Sequence, residues 1–246
     1  MSENSITVVI PMKNEAENVA FLVEEIASVV GEIPITEVNI VDDGSTDETA
    51  NIIRDLGKKY PWLHVYSHPH SGGQSAAVHS GVLMATGTFI CTLDGDGQNP
   101  ATELPNLMKP LLEDTTGNLG LVAGQRVGRQ DTLSKKWASK FANKLRGAIL
   151  KDGTRDTGCG LKAFRREAFL RLPYFDHMHR YLPALFKRDG WDIGHVDVSH
   201  RERHAGSSNY SNFQRAMVGL RDLIGVAWLL KRRKKASLPR DMEPKS

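Results

Sequence analysis

Short, mostly apolar strand-like segments alternate with helix-like segments over the first 93 residues, and this alternation constrains the fold more than any other feature. The strand-like segments are 6–10, 38–41, 64–67 and 88–93. Apolar strands that are each followed by a helix are typical of parallel sheets covered by helices on both faces. The pattern therefore predicts an α/β fold with a Rossmann-like, mostly parallel sheet.

Three helices are predicted between these strands, over 14–30, 47–58 and 75–86. Asn14 is the expected N-cap of the first helix, and Gly87 is expected to close the third. Later helix-like or strand-like patterns occupy 126–150, 165–172, 180–188, 191–198 and 212–230. No linker or repeat interrupts the chain. It is therefore predicted to form one domain over 1–210, followed by an amphipathic helix and a basic tail over 211–246.

Three of the predicted strands end in side chains that can bind a ligand. These side chains are Pro11, Asn14 and Glu15 after the first strand, Asp42 and Asp43 after the second, and Asp94 and Asp96 after the fourth. In open α/β sheets, ligands bind at the carboxyl ends of the strands. We therefore expect these residues to converge on one binding edge although they are distant in sequence.

Asp94 and Asp96 are the strongest candidates for metal ligands. They stand one residue apart at a strand end, separated by glycine, and Gln98 follows with an amide oxygen. Mg²⁺ prefers oxygen ligands and usually takes one or two carboxylates together with substrate phosphates. The alternative is a solvated turn, because Asp-Gly pairs are common in turns.

Asp42 is the candidate for binding a base or a sugar, as acidic residues at strand ends do in dinucleotide-binding folds. The segment 42–47 also fits a helix N-terminus capped by Ser45 or Thr46. Both interpretations are open, with Asp42 facing the ligand and the following residues forming the cap.

Several other functional classes are excluded by the motifs. The segment 70–74 matches neither the dinucleotide fingerprint nor the P-loop, and no G-x-S-x-G motif is present. His64, His68 and His70 lack a second ligand pair for zinc. Cys91 and Cys159 are the only cysteines, which fits a reducing compartment and makes a disulfide unexpected.

Positive charge is concentrated near the C-terminus. The net charge is +3, yet Lys231 to Lys235 alone contribute +5, so the remainder is slightly acidic. This distribution argues against a nucleic-acid-binding face and for a local anionic partner. The preceding helix carries Leu220, Ile224 and Trp228 at helical spacing. Such a helix suits an interfacial anchor on an anionic membrane, or equally an ordinary core-packing helix with a solvated tail.

A set of motifs resembles family-2 glycosyltransferases of the GT-A fold. They are Val-Ile-Pro-Met-Lys-Asn-Glu (9–15), Val-Asp-Asp-Gly-Ser-Thr-Asp (41–47), Gly-Gln-Ser-Ala-Ala (73–77), Leu-Asp-Gly-Asp-Gly-Gln (93–98), Asp-Thr-Gly-Cys-Gly-Leu-Lys (156–162) and His-Arg-Glu-Arg-His-Ala-Gly-Ser-Ser-Asn-Tyr (200–210). Gln98 and the last motif resemble the branch with dolichol-phosphate mannosyltransferase and the bacterial polyprenyl-phosphate glycosyltransferases. The sequence departs from many relatives in having Met12 where they have tyrosine and in having no segment predicted to span a membrane.

The resemblance implies a role for each matching residue. The nucleotide sugar would be bound by Pro11, Glu15, Asp42, Asp94 and Arg203. Mg²⁺ or Mn²⁺ on the diphosphate would be held by Asp94, Asp96 and Gln98. The acceptor phosphate would be bound by Arg126, Lys135 and Ser139. The residues expected to act in catalysis are Asp96, Asp156 and Arg203.

The implied reaction is inverting transfer of a sugar from GDP-mannose or a UDP-sugar to dolichyl or undecaprenyl phosphate. It would take place at the cytoplasmic face of the membrane, with the protein bound peripherally. A polyprenyl phosphate is already ionised, so Asp156 would orient groups or bind the sugar. If the acceptor were a glycan or protein hydroxyl, Asp156 would instead be the candidate base. A nucleotidyltransferase and a non-catalytic nucleotide-sugar-binding module are the remaining alternatives.

Overall fold

The computed structural model describes residues 4–127, 146–201 and 212–232. Its strands are β1 (Ile6–Met12), β2 (Ile35–Asp42), β3 (Leu63–Ser67), β4 (Phe89–Thr92), β5 (Leu119–Arg126), β6 (Lys162–Arg165) and β7 (Asp192–Val198). In this described part they form one seven-stranded sheet in the order β3-β2-β1-β4-β6-β5-β7. Strand β6 is antiparallel to β4 and β5, and the other pairs are parallel. The predicted α/β fold with a mostly parallel sheet is confirmed.

Helices cover both faces of this sheet. They are α1 (Ala16–Val29), α2 (Thr49–Lys59), α3 (Gln74–Met84), α4 (Leu104–Leu112), α5 (Arg166–Leu170), α6 (Leu182–Arg188) and α7 (Asn212–Leu230), and residues 146–150 are also helical. One core contains Leu22, Ile53 and Leu107 from α1, α2 and α4. The other contains Val82 and Leu185 from α3 and α6. Because both faces are buried, a central strand such as β1 needs apolar side chains on both sides.

Pro11 lies inside β1 where the sheet opens. Strand β1 pairs with β4 only from Ile6 to Val9, whereas its pairing with β2 continues to Met12. Proline has no N–H to donate, and it is accommodated here because one neighbour of the strand has already ended. The opening beside Pro11 is the edge at which we expected the binding site.

The predictions for three helix ends are wrong. The N-cap of α2 is Glu48 rather than Ser45 or Thr46. The N-cap of α1 is Glu15 rather than Asn14. Asn14 instead adopts a φ of 55°, and its Oδ1 accepts the backbone N–H of Thr46 at 2.8 Å, which joins the loops after β1 and β2. Helix α3 ends at Met84 rather than at Gly87. Gly87 packs so closely on β1 that a Cβ there would overlap Thr7.

Helix α7 is apolar on two sides. Leu223 and Val226 are 8% and 2% exposed and pack into the second core. On another side, Leu220, Ile224 and Trp228 are 48%, 65% and 59% exposed. The predicted helix over 212–230 is present, and one of its sides packs on the domain.

The division of the chain at residue 210 stays a prediction. In the described ranges, no helix combines the length and the apolarity that a membrane span requires.

Candidate active site

Two cavities lie at the carboxyl ends of β1 and β4. The first, which we call the acidic cavity, measures about 350 Å³ and is lined by Pro11, Met12, Lys13, Glu15, Asp43, Ser71, Gly73, Gln74, Asp94, Gly95 and Asp96. The second, the basic cavity, measures about 310 Å³ and is lined by Pro11, Gln74, Val78, Thr92, Asp94, Thr157, Gly158, Cys159, Gly160, Lys162, His179, Arg180 and Leu182. Both lie near the lower limit for small-molecule sites. Because Pro11, Gln74 and Asp94 line both, the two cavities adjoin.

Asp94 is the carboxylate at which the cavities meet. Its Oδ1 accepts a hydrogen bond from Gln74 Nε2 at 2.8 Å, and its Oδ2 accepts one from Asn99 Nδ2 at 3.3 Å. The backbone of Gly160 lies so close that a Cβ there would overlap this carboxylate. Burial, followed by the negative charge of Asp96, raises the pKa of Asp94 to about 6. The cavity wall therefore holds an acidic pair whose charges oppose each other.

The turn after β4 that carries Asp96 is fixed from outside the cavities. Oδ1 of Asp96 accepts the backbone N–H of Gln98 at 3.1 Å. Arg201 donates through Nε to the carbonyl of Gly97 at 2.9 Å and through its backbone N–H to the carbonyl of Gln98 at 3.0 Å. Gln98 itself lines neither cavity. Its backbone therefore helps to hold Asp96 in position.

The carboxylate oxygens of Asp94 and Asp96 suit a hard divalent cation whose coordination shell is completed by other ligands. Asp94 and Asp96 both line the acidic cavity and supply carboxylate oxygens, which Mg²⁺ prefers. Over residues 4–127, 146–201 and 212–232, no three side chains from His, Cys, Asp and Glu converge as a metal site. Among the described residues, Asp94 and Asp96 are therefore the two carboxylates available to a metal here, and water or a bound diphosphate can add further oxygen ligands.

Asp43 is held in the acidic cavity by four hydrogen-bonding groups. Ser71 Oγ donates to it at 2.6 Å, the backbone N–H groups of Gly72 and Gly73 donate at 2.8 Å each, and His68 Nδ1 lies 2.8 Å away. Burial raises the pKa of Asp43, but these four hydrogen bonds outweigh the burial and hold the pKa below its ordinary value. Asp43 is therefore an ionised acceptor in a fixed orientation.

Asp42, the residue predicted to face the ligand, lines neither cavity. Its Oδ1 accepts the backbone N–H of Ser45 at 3.1 Å, and its Oδ2 accepts the hydroxyl of Ser67 at 3.1 Å. It thus holds the β2–α2 loop, and the structure puts Asp43 in the acidic cavity in its place. Pro11 and Glu15 do line that cavity, as the sequence led us to expect.

Arg126 and Asp156 form a two-point ion pair beside the basic cavity. Arg126 Nε donates to Asp156 Oδ2 at 2.5 Å, and Nη2 donates to Oδ1 at 2.9 Å. The backbone of Asp156 is also held in place, because Gln125 Oε1 accepts its N–H at 2.9 Å. Two residues expected to act on the acceptor and the sugar are therefore in direct contact.

Three expected site residues cannot be placed. Lys135, Ser139 and Arg203 lie outside the described residues. The basic cavity is also lined by Gln74, Lys162 and Arg180, for which no role was predicted. Gln74 and Lys162 stand in two of the motifs that carry the family resemblance, which was the available signal for them. Arg180 lies in no such motif.

The fold, with polar cavities at the carboxyl ends of its parallel strands, is that of the GT-A class of glycosyltransferases. The chain belongs to glycosyl transferase family 2, whose family model matches residues 7–172. The resemblance stated from the sequence is thereby confirmed.

Two related proteins have names that describe enzymes acting on a polyprenyl phosphate and a sugar. The dodecaprenyl-phosphate galacturonate synthase of Rhizobium johnstonii is 32% identical over 92% of this chain and 67% of that protein. The undecaprenyl-phosphate 4-deoxy-4-formamido-L-arabinose transferase of Pectobacterium carotovorum is 31% identical over 84% of this chain and 63% of that protein. The chain thus spans about two thirds or slightly less of the length of these relatives.

Solved structures share the fold at lower identity. A glucosyl-3-phosphoglycerate synthase from Mycobacterium tuberculosis, in complex with Mn²⁺, UDP and glucosyl-3-phosphoglycerate, has a TM-score of 0.68 at 20% identity. That match covers 92% of this chain and 80% of the other. A mannosyl-3-phosphoglycerate synthase from Rubrobacter xylanophilus has a TM-score of 0.71 at 17% identity, covering 97% and 79%.

Proposed function

We propose that this chain transfers a sugar from a nucleoside diphosphate sugar to a polyprenyl phosphate. The observation that carries the proposal is the pair of adjoining cavities that share Asp94, one lined by carboxylates and the other by Lys162 and Arg180. A transferase of this kind must hold two anionic substrates on opposite sides of one anomeric carbon. The names of the two curated relatives support the lipid acceptor.

The acidic cavity is the proposed donor site. Pro11, Glu15 and Asp43 would contact the nucleoside, with Asp43 taking the part first expected of Asp42. The fixed Asp43 carboxylate suits this part because it accepts hydrogen bonds without having to reorient. The related mycobacterial fold binds UDP together with Mn²⁺ or Mg²⁺, which supports the same class of donor here.

Asp94 and Asp96 would hold the Mg²⁺ or Mn²⁺ that accompanies the donor diphosphate, with Gln98 supporting Asp96. When bound, such an ion supplies Lewis-acid stabilisation of the departing diphosphate, worth several kcal/mol. The two carboxylates fit the ion because its positive charge would stabilise the ionised form of Asp94, which burial and then the charge of Asp96 disfavour. Arg203 stays the predicted contact to the donor phosphates.

The ion pair of Arg126 and Asp156 favours a phosphate acceptor over a hydroxyl acceptor. A hydroxyl needs a base to take its proton, whereas a phosphate monoester is already ionised and needs only positioning. Both oxygens of Asp156 already accept hydrogen bonds from Arg126, so this carboxylate is suited to hold Arg126 in position. Arg126 would then contact the acceptor phosphate, with Lys135 and Ser139 as its predicted partners.

A panel of nucleotide sugars tests the proposed function directly. With Mg²⁺ and a prenyl phosphate present, we expect release of nucleoside diphosphate from at least one donor and a glycolipid product that extracts into organic solvent. Release of pyrophosphate would identify a nucleotidyltransferase. A water-soluble glycan or glycoprotein product would identify a hydroxyl acceptor. Binding of a donor without turnover would leave only a binding module.

The exposed side of α7 supports peripheral binding at the cytoplasmic face of a membrane. Leu220, Ile224 and Trp228 recur every four residues, so they form one stripe along the helix. At the end of the stripe, the guanidinium of Arg232 lies 5.5 Å from the centre of the Trp228 ring. An apolar stripe bearing tryptophan next to basic residues is typical of helices that lie in the membrane interface.

Replacing Ile224 and Trp228 together by serine is expected to reduce binding to vesicles of anionic phospholipid by at least about 10-fold, because it removes most of the apolar surface that would enter the interface. Co-sedimentation with the vesicles measures this. The matched control replaces Leu83 and Met84, each 52% exposed on α3, by serine, and should bind like the unmodified protein. Equal binding of all three proteins would reject the anchor.

A further inference from the structure

A short turn between α5 and α6 presents an arginine to the basic cavity. Met178–Arg180 form a 3-10 helix in this turn. Met178 is buried beneath it at 2% exposure, whereas Arg180 is exposed and lines the cavity. The turn is thus anchored on its inner side and offers the guanidinium of Arg180 on its outer side.

The inner anchor is a contact between the turn and the start of α3. Ser75 Oγ lies 2.7 Å from Nδ1 of His179 and accepts the backbone N–H of His179 at 3.2 Å. Burial lowers the pKa of His179 well below its ordinary value, so the ring is neutral near pH 7. His179 is therefore a positioning residue for its neighbour Arg180.

The ends of the turn are held by α7. His177 Nδ1 lies 3.0 Å from Oδ2 of Asp222, and the Tyr181 hydroxyl donates to the carbonyl of Gly219 at 3.3 Å. These contacts flank Arg180 on both sides along the chain. The position of the Arg180 backbone is therefore set by α3 and α7, and its side chain is available to bind a ligand in the cavity.

The other cations at the basic cavity are already engaged. The Lys162 ammonium donates to the carbonyl of Cys159, and burial lowers the pKa of Lys162. Arg126 donates two hydrogen bonds to Asp156. Within the described part of the chain, the Arg180 guanidinium has no hydrogen-bond or ion-pair partner. Arg180 is thus the cation of this cavity that is best able to take a new anion.

We propose that Arg180, from within the basic cavity, binds the phosphate group of the acceptor together with Arg126, which stands beside the cavity. This inference rests on the proposed function and specifies the acceptor side of the same site. A guanidinium offers paired N–H groups that match two oxygens of one phosphate, which a lysine ammonium does not reproduce. The donor diphosphate is assigned to the carboxylate pair in the acidic cavity, so the phosphate that reaches Arg180 is that of the acceptor.

Kinetics with a short, water-soluble prenyl phosphate test this assignment. Arg180→Ala is expected to raise the acceptor KM by at least 10-fold and to leave the donor KM within 2-fold, and Arg180→Lys should recover part of the loss. The matched control is Arg171→Ala, an exposed arginine of the neighbouring segment that lines neither cavity. It should behave like the unmodified protein. An unchanged acceptor KM would overturn the proposal. A donor KM raised as much as the acceptor KM would also overturn it, because that result is expected if Arg180 binds a carboxylate on the donor sugar.

Calorimetric titration of the same prenyl phosphate separates this inference from the proposed function. Weaker binding to Arg180→Ala than to the unmodified protein supports the assignment even if no donor in the panel is turned over, in which case only the proposed function fails. Transfer by the unmodified protein with equal acceptor binding by both proteins overturns the role of Arg180 alone. No binding of prenyl phosphate to the unmodified protein overturns both.

Discussion

Asp94→Asn and Asp96→Asn are each expected to lower sugar transfer by at least about 100-fold. Each change removes one negative charge from the pair that would hold the divalent ion, and an ion of this kind supplies several kcal/mol to the departure of the diphosphate. Asparagine keeps the shape of aspartate, and at residue 94 it can still accept the hydrogen bond from Gln74. The rate of nucleoside diphosphate release measures the loss.

Thermal stability and metal chelation distinguish the loss of a metal-binding charge from unfolding of the protein. Because burial disfavours the charge of Asp94, the neutral variant should have an unchanged or slightly higher Tm. Asp55→Asn, an exposed carboxylate paired with Lys58 on α2, is the matched control and should keep full activity. Excess EDTA should stop the unmodified enzyme, and added Mg²⁺ or Mn²⁺ should restore it. Full activity in EDTA would contradict the metal assignment.

Gly160→Ala is expected to lower sugar transfer by about 100-fold without unfolding the protein. A Cβ at residue 160 would overlap the carboxylate of Asp94. The overlapped atoms are the far end of a flexible side chain, so they can move aside at little cost to stability. The carboxylate would then leave its position, and a displacement of about 1 Å at a reacting site can cost roughly 100-fold in rate.

Gly225→Ala provides the matched control for this change. Gly225 lies on α7, where an added Cβ meets no atom within 4 Å, so this variant should be as active as the unmodified enzyme on a water-soluble acceptor. Parallel assays and thermal melts of both variants test the argument. A fully active Gly160→Ala enzyme would show that Asp94 need not occupy its observed position.

The first half of the fold could be predicted because its signals are local. Strands β1, β2 and β4 are largely buried and rich in apolar residues, and turn residues mark their ends. Strand β6 could not be predicted in the same way. It has four residues, and its partners Phe89 and Leu121 lie more than 40 positions away in sequence. Helix α4 and strand β5 were also not predicted as elements.

The site could be predicted in its location but not in every side chain. Asp94 and Asp96 follow a buried strand directly, so the topology alone brings them to the binding edge. The choice between Asp42 and Asp43 depends on which of the two meets the backbone N–H groups of Gly72 and Gly73, a contact between distant segments. Arg180 depends on the packing of His179 beneath α3. Neither contact leaves a periodic signal in the sequence.

The four residues at and just before the start of α3, residues 72–75, position several parts of the site at once. Gly72 and Gly73 orient Asp43, Gln74 orients Asp94, and Ser75 orients the turn that carries Arg180. A displacement of this single helix end would therefore shift nucleoside, diphosphate and acceptor contacts together. Variants at residues 72–75 should consequently show mixed defects in both substrates, and such defects would report the position of the helix rather than a contact of the altered residue.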